Sequence, residues 1–328
     1  MKAPFFTVLI DTYNYGKYVE EAVTSALAQD FPVEEREILV VDDGSTDDTE
    51  LRMRKFGEAI RYFRKPNGGQ ASAFNFGFER AKGEVVALLD ADDLWLPGKL
   101  QLVHEAFNRN AEAGLVYHAF IERDITSRVE KDSGYSLVSG NLFPGRKTLL
   151  SYAIYPTSTL AFRLAALRRL LPVPLELTFQ ADVYLAGLIV FVAGVRALRE
   201  PLAIYQMHGK NLYGGPGIER CKIKLESRMN TREAVHDRIA EWLSLNSYDV
   251  NSEPIFSYLA QWEFAQASDR FHMEAPGRWT YFKHLWREAR VYRELRSPRH
   301  QLLSYANAFA GLVGGYQRQN TSSSTDLP

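Results

Sequence analysis

The chain predicts an α/β fold with a mainly parallel, doubly wound sheet flanked by helices and followed by a helical C-terminal extension. Short aliphatic runs alternate with helical periodicity through the first third of the sequence, each run ends in polar or acidic residues, and after Gly217 strand signals give way to helical ones. With the strands parallel, the residues just beyond each strand gather along one edge. Open α/β sheets bind their ligands there.

Phe5 to Ile10 reads as the first strand, and Gly16 to Gln29 as a helix with Tyr18, Ala22, Val23, Ala26 and Leu27 on one face. Glu37 to Val41 is a second strand. It ends in Asp42-Asp43-Gly44-Ser45-Thr46-Asp47, whose Ser, Thr and Asp are natural caps for the helix that follows. Ile60 to Phe63 is a short third strand, Pro66 to Gly69 a turn, and Gln70 to Ala81 a helix stopped by Gly83. A fourth strand starts at Val85, and Pro97 stands just inside a helix that runs to about Asn110. Further on, Thr157 to Phe162 reads as a strand, Leu164 to Leu171 as a helix closed by Pro172, and Ala181 to Phe191 as a helix opened by Asp182. The expected ligand edge is therefore Asp11 to Tyr15, Asp42 to Asp47, Asn67 to Gln70 and Asp90 to Asp93. Helix-start amides and carboxylates together would suit a diphosphate bridged to a metal ion.

Val85 to Leu96 is the most informative stretch, because a buried strand stops at three carboxylates within four residues. Burying such charges together without a cation is prohibitive. On an extended backbone Asp90 and Asp92 face the same way, a spacing that lets two carboxylates share one hard divalent ion. A solvated turn after a strand remains open on these four residues alone. Asn67-Gly68-Gly69-Gln70 could likewise be a close backbone approach to a ligand or a plain turn.

At 328 residues, 46% apolar and 24% charged, the composition is that of a globular protein with room for one large domain plus an appendage. A net charge of -1 gives no case for nucleic acid. Cys221 stands alone, so neither an intramolecular disulfide nor a thiolate metal cluster can form, and a reducing, cytoplasmic compartment fits. Phe5 to Ile10 runs straight into Asp11, unlike a signal peptide, and the longest apolar run, Leu185 to Val195, is too short to span a bilayer. No Gly-x-Gly-x-x-Gly follows the first strand, and no Gly-x-x-x-x-Gly-Lys-Ser/Thr phosphate loop occurs.

Thr12-Tyr13-Asn14, Val40-Val41-Asp42-Asp43-Gly44-Ser45-Thr46-Asp47, Asn67-Gly68-Gly69, Ala81-Lys82-Gly83-Glu84 and Leu89-Asp90-Ala91-Asp92-Asp93, in this order, resemble family 2 inverting glycosyltransferases of the GT-A fold. The resemblance is strong over about residues 5 to 110 and extends more weakly to about 212. It implies a catalytic domain over 1–216, with a nucleotide-sugar half to about 110 and an acceptor half from 111. A helical region over 217–316 and a disordered polar tail over 317–328 complete the expected organisation. By the resemblance, Thr12 and Tyr13 line the nucleobase pocket, Asp43 bonds the base, Asp90 contacts ribose or metal, and Asp92 ligates a divalent ion, Mn2+ or Mg2+. Asp182 is similar to the family's catalytic base, although a carboxylate at a helix start also caps the dipole. Pro201 to Asn211 resembles the closing segment, where His208 approaches the metal or diphosphate unless it is a surface loop residue. Four positions depart from the pattern: Asp11 replaces Pro, Thr or Ser; Phe74 replaces Arg before Asn75; Ala181 breaks an acidic pair; and Gln206 replaces a basic residue.

The implied function is metal-dependent transfer of a sugar from a nucleotide donor, a UDP-sugar, to a saccharide or lipid-linked acceptor in polysaccharide or glycoconjugate synthesis. The alternative is a nucleotide-binding or scaffolding protein that has lost turnover, motivated by Ala181 and Phe74. From Arg278 to Arg299 seven Arg or Lys residues are interleaved with Trp279, Tyr281, Phe282, Leu285, Trp286 and Tyr292. Such a segment fits peripheral contact with anionic lipid, a partner groove that includes a second copy of the chain, or packing on the catalytic domain.

Overall fold

Three aliphatic runs and one short aromatic segment form parallel strands at one side of the sheet: β1 (Phe6–Thr12), β2 (Arg36–Asp42) and β4 (Val85–Asp90), with β3 (Arg61–Arg64) at the edge. The computed structural model describes residues 3–134, 137–143, 155–208, 211, 222–252, 255–256, 258–259 and 283. The remaining strands are β5 (Leu94–Trp95), β6 (Ala113–Asp124), β7 (Glu130–Asp132), β8 (Ala161–Arg163) and β9 (Gly194–Met207). Their order is β3-β2-β1-β4-β8-β6-β9-β5, with β7 paired to β6. β8 is antiparallel to both β4 and β6, whereas the long β6 and β9 run parallel to each other.

Helices α1 (Gly16–Leu27), α2 (Thr49–Met53) and α4 (Lys99–Arg109) cover one face. There Val19, Val23, Met53, Leu100 and Phe107 pack on Val8, Ile10, Val40 and Leu89. Helices α3 (Gly69–Arg80), α5 (Leu164–Leu167), α6 (Ala181–Ile189) and α7 (Lys222–Leu245) cover the other. On that side Phe74, Phe78, Leu167, Leu185 and Ile239 pack on Leu9, Leu39, Val41 and Leu88. Burial on both faces is why the central strands read as unbroken aliphatic runs instead of alternating ones.

Several expectations change. Asp92 is not on a strand: β4 stops at Asp90, and the Asp93 amide donates back to the Asp90 carbonyl to close a turn. The period-two argument for Asp90 and Asp92 therefore does not apply. Thr157 to Thr159 is a 3-10 turn and only Ala161–Arg163 pairs in the sheet, because Pro156 precedes the turn and the Ser158 side chain is used elsewhere. Pro97 lies in a turn before α4, and the left-handed Gly98 precedes the helix. Strands β5, β6, β7 and β9 are additions that the local pattern does not predict. α7 begins the expected helical region. The proposed boundary near 216, the tail from 317 and, apart from Lys283, the basic aromatic segment lie outside the described residues. Among the described residues no helix is long and apolar enough to cross a membrane.

Candidate active site

An acidic row stands at the ends of three adjacent strands. Side-chain alternation puts Asp11, two after Leu9, and Asp90, two after Leu88, on the face covered by α3 and α6, where they are register partners; Asp43, one residue past the end of β2, is held on that side by the Gly68 and Gly69 amides at the start of α3. α6 brings Asp182 to the same face. Burial pushes the Asp11 carboxyl up to about 7, with Asp182, Asp92 and Asp43 adding to the rise against the pull of its own backbone amide. Burial also drives Asp90 well above the carboxylate range, reinforced by Asp11, Asp93, Asp92 and Asp182. These charges therefore lie close enough to interact although they come from four separate segments. Asp11 stands at the expected ligand edge, although the family resemblance marks it as a departure and assigns it no role.

The end of β9 closes on the turn after β4. His208 Nε2 lies 2.9 Å from Asp92 Oδ2, the Gln206 side-chain amide donates to the Asp92 carbonyl at 2.8 Å, and the Gln206 backbone N–H donates to Asp93 Oδ1 at 3.1 Å. Tyr18 stacks on the His208 ring at 4.7 Å, and Tyr15 meets it edge-on at 5.7 Å. Behind this layer the Ser158 hydroxyl donates to Asp93 Oδ2 at 2.6 Å and accepts the Asp90 amide at 3.1 Å. Lys99, fully buried over the Trp95 ring, donates to the Ser158 carbonyl. Burial drives both Asp93 and Lys99 toward their neutral forms. Asp93 thereby ties three segments together. Asp93 belongs to the acidic run visible in the sequence, whereas nothing local marks Ser158 or Gln206 as its partners.

The Asp43 carboxylate is already engaged. It accepts the Gly69 amide at 2.7 Å, the Gly68 amide at 3.1 Å and the Lys65 ammonium at 2.5 Å. Gly69 is left-handed, and a Cβ there would stand 2.7 Å from Thr178, so the turn requires glycine. The expectation of free helix-start amides for a diphosphate fails for the same reason. At α3 the Gly69, Gln70 and Ala71 amides go to Asp43 and to the Thr178 and Leu177 carbonyls. Asp47 takes the Gly16 amide of α1 and the Thr49 amide of α2, each at 3.0 Å, and Gln70 Oε1 takes the Ala181 amide of α6. Asp47 thus caps as expected, while Ser45 and Thr46 bond Asn14 across the crevice instead. The crevice is consequently rich in acceptors and poor in donors.

Asp182 is buried and accepts the Thr157 hydroxyl at 3.1 Å. Burial pushes its carboxyl up to about 6, against the pull of Thr157 and the backbone amides of Val183 and Asp182 itself. The same carboxylate therefore takes amides at the start of its own helix and lies near enough to Asp11 and Asp90 to raise their carboxyls. Thr12 Oγ1 and Asp11 Oδ1 are buried with no hydrogen-bond partner among the described residues, and Tyr13 is exposed at the rim. Phe74 is fully buried in the core against Phe78, so that departure lies away from the crevice. Among the described residues no three His, Cys, Asp or Glu side chains are grouped to hold an ion by themselves. Asp92 and His208 stand as a hydrogen-bonded carboxylate–imidazole pair.

Residues 7–171, half of the chain, match the model of glycosyl transferase family 2. The chain belongs to that family. An uncharacterized glycosyltransferase of Nostoc sp. is 36% identical over 212 residues, covering 62% of this chain and 65% of its own. One from Rickettsia typhi is 43% identical over 99 residues, 30% of each chain. The matched region thus spans less than two thirds of these relatives. Among solved structures, TarS of S. aureus in complex with UDP-GlcNAc superposes with a TM-score of 0.53 at 19% identity, covering 94% of this chain and 92% of that one. Mannosyltransferase PcManGT of Pyrobaculum calidifontis, in complex with GDP-Man and Mn2+, gives 0.55 at 21% identity, covering 94% and 81%. At such identities the likeness establishes the fold of this family 2 member, a GT-A-like mixed sheet flanked by helices.

Proposed function

We propose that this family 2 member transfers a sugar from a nucleoside-diphosphate donor, a UDP-sugar, to an acceptor hydroxyl in one displacement that inverts the anomeric centre. Its acceptor is a saccharide or lipid-linked saccharide, and it works on the cytoplasmic side with peripheral membrane contact through residues 278–299. The observation that carries the reading is the acidic row Asp43, Asp11 and Asp90 with Asp182 above it and Asp92 at its edge. With the first amides of α1, α2, α3 and α6 already engaged, such a crevice repels a diphosphate unless a cation stands between them. The donor set fits Mn2+ or Mg2+: Asp92 and His208 lie side by side, and diphosphate oxygens would complete the coordination. When bound, the cation stabilises charge growing on the departing diphosphate.

The chain's own residues do the rest. Asp182, held by Thr157, takes the proton from the acceptor hydroxyl, and its raised affinity for protons suits a base working near neutral pH. In this reading the nucleobase is received by the Thr12 hydroxyl, which has no hydrogen-bond partner among the described residues, and by the exposed Tyr13 ring, with Asp43 beside them. The complexes of TarS with UDP-GlcNAc and of PcManGT with GDP-Man and Mn2+ support a nucleotide-sugar donor and a divalent ion here. The rival reading of a binding protein without turnover retains Ala181 as its motive, since Phe74 is core. Calorimetry with UDP- and GDP-sugars, with and without Mn2+, run beside a donor-consumption assay, tests the proposal. Metal-independent nucleotide binding, or binding with no turnover in any acceptor panel, overturns it.

A further inference from the structure

We infer that Gln180 is a specificity-determining contact that reads a sugar hydroxyl beside Asp182, an inference that rests on the glycosyl-transfer reading above. Gln180 is buried, yet its Oε1 has no hydrogen-bond partner among the described residues. Its backbone is left-handed, with φ 59° and ψ 29°, which a residue bearing a Cβ adopts at a cost. Neither feature is explained by helix capping. The Gln180 side chain makes no cap bond to α6, and the Ala181 amide is taken by Gln70 Oε1 at 3.0 Å instead. Turning the amide over only exchanges which polar end is left unpaired.

The position is informative. The carbonyls of Leu177 and Thr178 accept the Ala71 and Gln70 amides at the start of α3, next to the Asp43 turn, and Asp182 follows two residues after Gln180. Gln180 therefore lies in the short segment that joins the contact with the Asp43 turn to Asp182. A neutral amide offers one donor end and one acceptor end, the complement of a hydroxyl, whereas the charged parts of the substrate are served by the carboxylates and a cation. Phe179, partly exposed beside it, offers an apolar ring to the C–H face of a sugar. The hydroxyl belongs either to the transferred sugar or to the acceptor.

Gln180→Gly separates this role from a structural one, because glycine relieves the left-handed backbone while removing the amide. The variant is expected to melt at or above the parental temperature and to bind UDP as the parent does. In the donor arm, calorimetry with Mn2+ compares UDP with UDP-glucose, UDP-galactose and UDP-N-acetylglucosamine. In the acceptor arm, KM is measured for a panel of methyl glycosides with the donor that turns over. A loss of about 5- to 10-fold in one arm, the usual effect of one hydrogen bond, supports the inference and assigns the hydroxyl to that sugar. Gln180→Asn should restore part of it. Unchanged donor discrimination and unchanged glycoside KM in Gln180→Gly overturn the inference while leaving glycosyl transfer intact. A parent that binds no nucleotide overturns both.

Discussion

The Nε2 atom of His208 stands 2.9 Å from Oδ2 of Asp92, a contact between residues 116 positions apart. It brings the end of β9 onto the turn after β4. Tyr18 stacks on the far side of the imidazole, so the ring is held between an aromatic wall and the carboxylate. The imidazole is thereby oriented toward Asp92 before any ligand arrives.

Asp92→Ala is expected to abolish Mn2+-dependent donor binding while leaving the melting temperature within a few degrees of the parent. The turn survives because Gln206 holds the Asp92 backbone carbonyl and Asp93, not the Asp92 side chain. Calorimetry with UDP and Mn2+ measures the loss, and parental affinity in the variant would remove Asp92 from the metal site.

Asp43→Ala is expected to lose stability as well as nucleotide. Its carboxylate satisfies two glycine amides and Lys65, so truncation should cost about 1 to 3 kcal/mol in urea unfolding, with a comparable loss in UDP affinity. Weaker UDP binding at parental stability would instead assign the carboxylate wholly to the base. Equal parental affinity for UDP and ADP would remove it from pyrimidine recognition.

Asp182→Asn keeps shape and capping ability but cannot take a proton. Turnover should fall by on the order of 10²- to 10⁴-fold with donor affinity near parental. In the parent, the carboxyl at about 6 is protonated and inactive as a base at lower pH, so single-turnover rate should rise through about pH 6 and level off above it. A helix cap alone predicts an almost silent variant and no such limb.

Asp11→Asn should stabilise the metal-free protein at alkaline pH. The carboxyl ordinarily titrates near 3.8 and is raised to about 7 in the fold, so its contribution to stability is present below 3.8 and lost as pH rises through 7. The variant should therefore melt above the parent at pH 8 in EDTA, with the gap closing toward pH 4. Added Mn2+ should narrow the gap at pH 8 by screening the parental carboxylates. Equal melting temperatures at pH 8 would mean Asp11 is not held in a strained charge state.

Deleting the chain from about Arg278 is expected to reduce sedimentation with anionic vesicles more than it reduces turnover on a soluble acceptor. On the proposed reading, the seven basic residues and their aromatic neighbours would supply both charge attraction and apolar insertion. Absence of vesicle binding by the full chain at low salt would end the membrane assignment.

The sequence determined the alternation of strands and helices through about residue 110 and the strand ends at which the acidic residues stand. Each of those signals is local: aliphatic runs stopped by Asp11, Asp42 or Asp90, and apolar faces such as Val19, Ala22, Val23 and Ala26. It also marked the residues through which the family was recognised. Only the tertiary structure decided that β8 inserts antiparallel beside β4, that β6 and β9 extend the sheet, and that Asp11 joins Asp43, Asp90 and Asp182 on one face. It alone showed that helix-start amides are spent within the fold and that Ser158 bridges to Asp93 across 65 positions. Such pairings leave no periodicity behind. A hydroxyl, an amide or a carboxylate has the same local sequence whether it meets solvent, a distant backbone or a ligand, and the partner is settled by burial after the sheet has closed.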